Sequence, residues 1–287
     1  MNSLQFKKNE FKKLCATIGF KPTIVSDVIS NVDKFYYEKV EIKKDKKTGE
    51  VKKYKDGTVK KRTLHPSTKE LKAIQKSLKK NILAPISLPI EVHGGVKKRS
   101  NITNAKPHKG NKFIFTTDLQ DFYPNISNSH VNETFLSLGF SNHFSNSLTK
   151  LTTWKYALPQ GTPTSTHISN LVFLKTDFEL IQLCNANNIT YTRYVDDLTF
   201  SSPIDFRHLL NIILEIIKKN NFKISYRKTK YKGNQTVTGI NIFLNKIEAP
   251  EHIKEKSKIE IENNTEMKPY SIYLENIQKE NKRKGSR

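Results

Sequence analysis

The four residues Tyr194-Val195-Asp196-Asp197 constrain this chain more than any other stretch. Strand-like runs, Thr190–Tyr194 and Leu198–Ser201, flank them, so two adjacent carboxylates sit between apolar segments. Buried charge is costly unless it is paired or coordinates a metal. Neighbouring side chains on a straight strand point to opposite faces. Both acids therefore approach one place only if the chain turns there, and then unequally, with Asp196 the better aimed. Taken alone, an Asp-Asp turn is better explained as an exposed β-turn, so the pair needs further acids to mean more.

A second acidic segment supplies them. Phe113-Ile114-Phe115-Thr116-Thr117-Asp118 is an apolar strand ending in a carboxylate, and Leu119-Gln120-Asp121-Phe122-Tyr123-Pro124 follows. Hard oxygen ligands at strand ends suit Mg²⁺, which keeps several waters and is completed by substrate phosphates. Two such ions about 3.5–4 Å apart can activate an attacking hydroxyl and steady a leaving group. Asp121 also reads as a simple helix N-cap. A third element, Leu158-Pro159-Gln160-Gly161-Thr162-Pro163-Thr164-Ser165, offers a glycine for close backbone approach and small residues before a helix.

Charge narrows the partner. The 287 residues carry 50 Lys+Arg against 27 Asp+Glu, a formal net charge of +23. Self-repulsion on that scale disfavours a compact free state, and a polyanion whose counterions are released on binding relieves it. No apolar run approaches the ~20 residues of a bilayer span, and the start, MNSLQFKKNEF, lacks a signal-peptide core. Nucleic acid is the expected partner, with no membrane. Cys15 and Cys184 stand in no CxxC or His cluster, which argues against zinc or disulfides and fits a reducing interior.

The remaining pattern is mixed. Phe6, Phe11, Leu14, Cys15 and Ile18 have helical spacing, stopped at Gly19, and Ile24, Val25, Val28 and Ile29 form a second set after Pro22. Residues 39–62 hold 11 Lys+Arg and 4 Asp+Glu, broken by Thr48-Gly49 and Asp56-Gly57 into a basic β-hairpin that contacts phosphate. Ser67 and Glu70 read as a capping box before a helix bearing Leu71, Ile74, Leu78, Ile82 and Leu83. Further helices are expected over 128–138, after Pro163 and over 205–220, the last burying Leu209, Ile212, Ile213, Ile216 and Ile217. Strands are expected also at Lys112–Asp118, Lys223–Tyr226 and Thr236–Phe243. The tail from Glu251 is polar, with Tyr270, Ile272, Tyr273, Leu274 and Ile277 as its apolar cluster. Without βαβ alternation this is α+β, an antiparallel sheet backed by helices.

In order and spacing, the DxxDxY segment at Asp118, LPQGxxxS at Leu158 and YVDD at Tyr194 resemble the reverse transcriptase family over residues 35–245. The resemblance implies a right-hand polymerase with an RRM-like palm: N-terminal helices 1–36, fingers 37–112, palm 113–245 and a short RNA-binding thumb 246–287. It implies Asp118, Asp196 and Asp197 as the catalytic acids, with Leu119 beside them, holding two Mg²⁺ ions or Mn²⁺ in their place. Nucleotide contacts would come from Lys61, Arg62, Asp121, Tyr123, Gln160 and Lys228, with Tyr123 screening the sugar 2′-OH and Lys228 near the leaving pyrophosphate. A generic basic loop explains Lys228 nearly as well.

Two shorter segments resemble bacterial retron enzymes: Asn104-Ala105-Lys106-Pro107-His108 as NAxxH and Val237-Thr238-Gly239 as VTG. These imply RNA contacts by Asn104, His108, Val237, Thr238 and Gly239. The implied partners are a structured non-coding RNA serving as template and primer, the RNA–DNA hybrid, dNTPs and a separate effector protein, in the bacterial cytoplasm. The implied product is branched multicopy single-stranded DNA primed from a guanosine 2′-OH, in anti-phage defence. A group II intron-like enzyme is the alternative within the class, and a non-catalytic RNA-binding protein the alternative outside it. The final stretch departs from the family: it is short and acid-containing, with Lys279, Lys282, Arg283, Lys284 and Arg287 at its extreme end. Thr166 stands where a proline often follows the LPQG serine.

Overall fold

Helices and antiparallel sheets mix without regular alternation, the α+β organisation expected. The computed structural model describes residues 3–45, 48–233 and 235–282, so Arg283, Lys284 and Arg287 lie outside the described residues. The chain forms two compact units, Met1–Leu88 with Asp121–Phe173 and Pro89–Gln120 with Leu174–Arg287. Both are discontinuous, unlike the four consecutive segments by which the resemblance divides the chain by function. Among the described residues no helix is long and apolar enough to cross a membrane.

In the first unit, Ser3–Ile18 and Pro22–Ser30 are helices whose apolar stripes bury Leu14, Cys15, Ile18, Val25 and Val28. They pack with helices Lys69–Leu78 and Asn142–Thr152, which bury Leu71, Ile74, Leu78, Leu148 and Leu151. Ser67 does not cap the helix at 69. Its hydroxyl instead donates to Gln75 Oε1 (2.6 Å), and Gln75 Nε2 donates to Tyr36 Oη (3.0 Å) and the Leu151 carbonyl (2.9 Å). Burying the Gln75 amide requires those partners, and this takes Ser67 inward while Thr68 holds the N-cap without a side-chain capping bond. The basic segment forms the expected hairpin: β1 (Lys39–Ile42) pairs antiparallel with β2 (Lys61–Leu64), Ile42 opposite Lys61, with smaller turns at Gly49 and Gly57. Its Lys61 and Arg62 are exposed.

In the second unit, β3 (Phe113–Asp118) lies centrally in a four-stranded antiparallel sheet with β4 (Thr190–Tyr194), β5 (Asp197–Ser202) and β6 (Lys230–Lys232), in the order β4-β5-β3-β6. Phe115, Phe200 and Tyr191 stack through its centre, rings 5.7 and 4.9 Å apart. The strand expected at Lys223–Tyr226 is absent. Ile224 makes one bridge to Leu119, residues 226–228 wind into a 3₁₀ turn, and pairing resumes in β6, where Tyr231 packs on Phe113 and Phe206. Thr236–Phe243 is likewise two strands, β7 (Thr236–Val237) and β8 (Ile240–Ile242), turned at Thr238 (φ +46°) and Gly239 (φ +83°). A third strand, β9 (Ile247–Glu248), completes that small sheet. The helix over 205–220 begins as a 3₁₀ turn and runs α-helical over Leu210–Lys219, with Ile213 and Ile217 buried but Ile212 exposed. The polar tail folds as two helices, Glu251–Glu262 and Pro269–Lys282. Ile277 joins Ile102, Ile114, Val237, Ile240 and Ile247 in one core cluster.

Candidate active site

The acid cluster is set by strand register. Asp118, the last residue of β3, lies directly opposite Asp197, the first of β5, and Asp197 lies opposite Tyr194 at the end of β4. Directly paired residues project from the same sheet face, so Asp118 and Asp197 share one face, with Val195 and Asp196 forming the two-residue turn between β4 and β5. Val195 sits in the left-handed region (φ +61°), costly for a β-branched residue by about 1–3 kcal/mol. The Leu119 amide donates to the Asp196 carbonyl (3.0 Å), tying the turn to the end of β3.

The electrostatics follow from that crowding. Asp197 presents surface to solvent, but partial burial of its carboxyl, then the charges of Asp196 and Asp118, push it up to about 7 against the opposing pull of Lys228. The Lys228 ammonium contacts Asp118 Oδ2 at 2.7 Å, from a side chain 55% exposed against 8% for Asp118. A cleft of about 440 Å³ opens beside the acids, walled by Arg227, Lys228, Lys230 and Lys232 and reaching Thr236 and Thr238. Among the described residues no three His, Cys, Asp or Glu side chains are already closed around one point. The donor chemistry nevertheless fits a hard divalent cation: carboxylate oxygens compressed by like charge, on strand ends, in an open cleft.

The NAxxH and VTG segments are turned largely inward, although Pro107 is exposed and Lys106 half-buried. Of the five residues expected to contact RNA, Asn104, His108 and Val237 are buried, Thr238 is half-buried, and Gly239 at the hairpin tip is exposed. The first three offer no surface for the RNA contact expected of them, and their hydrogen bonds are internal. His108 Nε2 lies 2.7 Å from Thr192 Oγ1 and Nδ1 2.6 Å from Ser201 Oγ. The Thr192 hydroxyl donates to the Asn104 carbonyl, and Ser201 Oγ accepts from Asn111. Nε2 therefore carries the proton and Nδ1 accepts, a neutral ring satisfied on both sides. Burial, then the charge of His93, lowers His108 to about 3. Asn104 Nδ2 donates to Thr238 Oγ1 (3.3 Å), joining the two segments.

The other expected nucleotide contacts belong to the first unit. The His65 amide donates to the Gln160 carbonyl (2.7 Å), which brings the Leu158–Ser165 loop against β2 just beyond Lys61 and Arg62. Gly161 (φ +106°) has Leu64 and Pro66 beside it, at 3.5 and 3.6 Å from the position of a Cβ. Asp121 occupies an N-cap position (φ +46°) without a side-chain capping bond, and Tyr123, half-buried, has its hydroxyl 3.2 Å from Thr166 Oγ1.

Three residues of the site escaped sequence reasoning. Arg193 and Asp177 form a fully buried fork, Nε to Oδ1 at 2.8 Å and Nη2 to Oδ2 at 2.6 Å, and Tyr191 Oη also donates to Oδ1 (2.8 Å). Gly94 lies against the turn, where a Cβ would fall 2.4 Å from Val195 N. The available signal was strand alternation: Arg193 shares a face with Tyr191, an apolar position that demands a buried acid.

A family profile described as reverse transcriptase (RNA-dependent DNA polymerase) matches residues 43–242. The retron Ec86 reverse transcriptase of Escherichia coli is 35% identical over 191 residues, 65% of this chain and 60% of that protein. The retron Mx65 reverse transcriptase of Myxococcus xanthus is 29% identical over 204 residues, 63% of this chain and 48% of that protein. The chain thus spans about half to three fifths of these relatives. A solved structure of telomerase from Candida albicans with a fragment of telomeric RNA overlaps 89% of this chain and 57% of that one, at 12% identity and a TM-score of 0.49.

Proposed function

The chain belongs to the reverse transcriptase family, and from that premise we propose that it is a retron-type enzyme copying an RNA template into DNA. The observation that carries the reading is the register placing Asp118 across from Asp197, with Asp196 in the turn between β4 and β5. Asp118, Asp196 and Asp197, with the Leu119 main chain beside them, would hold two divalent cations, Mg²⁺ or Mn²⁺. Bound there, such ions lower the pKa of the attacking hydroxyl and offset charge on the leaving pyrophosphate. Lys228, long and solvent-exposed, exchanges its contact with Asp118 for the anionic pyrophosphate. Lys61 and Arg62 hold the triphosphate, Asp121 and Gln160 contact the dNTP, and Tyr123 excludes the 2′-OH. The functional division remains N-terminal helices 1–36, fingers 37–112, palm 113–245 and thumb 246–287.

The retron subtype is supported by the two relatives named above and by the NAxxH and VTG segments. We read it as implying a structured non-coding RNA partner, a 2′-OH primer, branched multicopy DNA, a cytoplasmic site of action and anti-phage defence with a separate effector. Purified protein given its RNA, Mg²⁺ and dNTPs should make DNA, and the Asp196→Asn, Asp197→Asn double variant should make none. Synthesis surviving that change would overturn the assignment of the acids. Debranching enzyme should shorten the product, and an insensitive product would point to another priming mode.

A further inference from the structure

Asp196 has both flanking peptides pinned. The Asp196–Asp197 peptide is fixed by the Leu119 amide donating to the Asp196 carbonyl. The Val195–Asp196 peptide is fixed by Arg193, whose Nη1 donates to the Val195 carbonyl at 2.9 Å. The guanidinium is planar and rigid, and its other two nitrogens are locked on Asp177, which helix Leu174–Ala186 carries. The main chain of Arg193 is fixed as well: its amide donates to the Glu91 carbonyl (2.8 Å), and its carbonyl accepts from the His93 amide (2.7 Å). Neither Arg193 nor Asp177 side chain has any exposed surface. A buried ion pair is weak evidence for stability, since apolar replacements of similar volume are often neutral or better. What this pair does that an apolar pair cannot is hold a carbonyl one bond from the residue expected to bind metal.

We propose that Arg193, oriented by Asp177, is the positioning residue of the catalytic turn, fixing the Val195–Asp196 peptide and thereby aiming the Asp196 carboxylate. The proposal rests on the polymerase reading for its consequence in catalysis, and on the turn geometry alone for its consequence in cation binding. Groups that orient ligands from outside typically contribute about 10–100-fold to affinity or activity.

The test removes the polar cluster as a unit. Asp177→Leu, Tyr191→Phe, Arg193→Met leaves no buried charge or hydroxyl stranded, so its Tm should equal or exceed the wild type's. Its kcat should fall about 10–100-fold while the KM for dNTP stays within about twofold, the pattern of a contribution made only at the reacting centre. Mn²⁺ affinity, titrated without nucleotide, should weaken about 10-fold or more. A folded triple variant with wild-type kcat and Mn²⁺ affinity overturns the proposal. If the triple variant does not fold, Arg193→Lys decides, because it keeps the charge beside Asp177 but cannot span both Asp177 oxygens and the Val195 carbonyl. Lowered kcat in that variant supports positioning, and wild-type kcat refutes it. Should the wild-type protein itself make no DNA, the polymerase reading fails, and the Mn²⁺ titrations still decide whether Arg193 shapes the acid site.

Discussion

Replacing Gly94 with alanine tests how tightly the β4–β5 turn is built. A Cβ there would lie 2.4 Å from Val195 N, 2.5 Å from Val195 Cγ2 and 2.9 Å from the Tyr194 carbonyl carbon. Ordinary contact begins at 3.4 Å, so either Gly94 or the turn must give by about 1 Å. Gly94 cannot retreat freely, because the preceding residue is bonded through its amide to the Arg193 carbonyl. Val195 cannot relax easily either, being already at φ +61° with its carbonyl held by Arg193. The displacement therefore reaches Asp196. Overpacking of this kind costs about 1–3 kcal/mol, a Tm lower by roughly 2–12 °C at about 2–4 °C per kcal/mol. A misplacement of about 1 Å at reacting groups costs on the order of 100-fold in rate. Thermal unfolding of Gly94→Ala, with single-turnover incorporation of one dNTP, reads both. Wild-type Tm together with wild-type kcat would refute the packing described here.

Two further outcomes follow from the same geometry. The folded state holds His108 neutral down to about 3, whereas an unfolded histidine protonates near 6.5, so the unfolded state takes up the proton first as pH falls. Stability from this residue is full above about pH 6.5 and is lost as pH drops toward 3, about 2–3 kcal/mol by pH 4.5. Urea unfolding at pH 7 and 4.5 should show a smaller difference in His108→Gln, and an unchanged difference would show that the ring is not held neutral. Tyr123→Ala should raise ribonucleotide incorporation relative to deoxynucleotide, and an unchanged ratio would remove Tyr123 from sugar selection.

Where side-chain period alone decides structure, the sequence was legible. Strands at 113–118 and 190–194 and the β4–β5 turn lie where the strand-like runs and the acid pair place them, and Thr48-Gly49 and Asp56-Gly57 mark real turns in the basic hairpin. Tertiary partners decided the rest. Ile224 alternates like a strand residue and does pair once, the Gln120 and Ser225 amides donating to the Lys223 and Asp118 carbonyls to close the Leu119–Ile224 bridge, but the 3₁₀ turn at Tyr226–Lys228 ends the ladder there. Ladder pairing passes instead to the Lys-rich β6, whose single aromatic, Tyr231, finds Phe113 and Phe206. Ser67 read as a cap because nothing local reveals Gln75 and Leu151. The tail hid its helices because much of what fixes them is polar: Glu260 accepts from the Tyr270 and Ser271 amides, and Asn281 brackets the Ile247 peptide.

The two faces of the β4–β5 hairpin divide the work. Thr192 and Arg193 are successive residues of β4 and point to opposite faces. On the Arg193 face, the Asp177 fork reaches the Val195 carbonyl. On the Thr192 face, which also carries Asp118 and Asp197, His108 bridges Thr192 to Ser201, and Asn104 ties that bridge to Thr238 of the β7–β8 turn. In the segments that resemble retron enzymes, Asn104, His108 and Val237 are thus buried beside the acids, while Pro107 and Gly239 are exposed. A change at Asn104 or His108 reaches the hairpin that carries Asp197 through hydrogen bonds, without any surface contact.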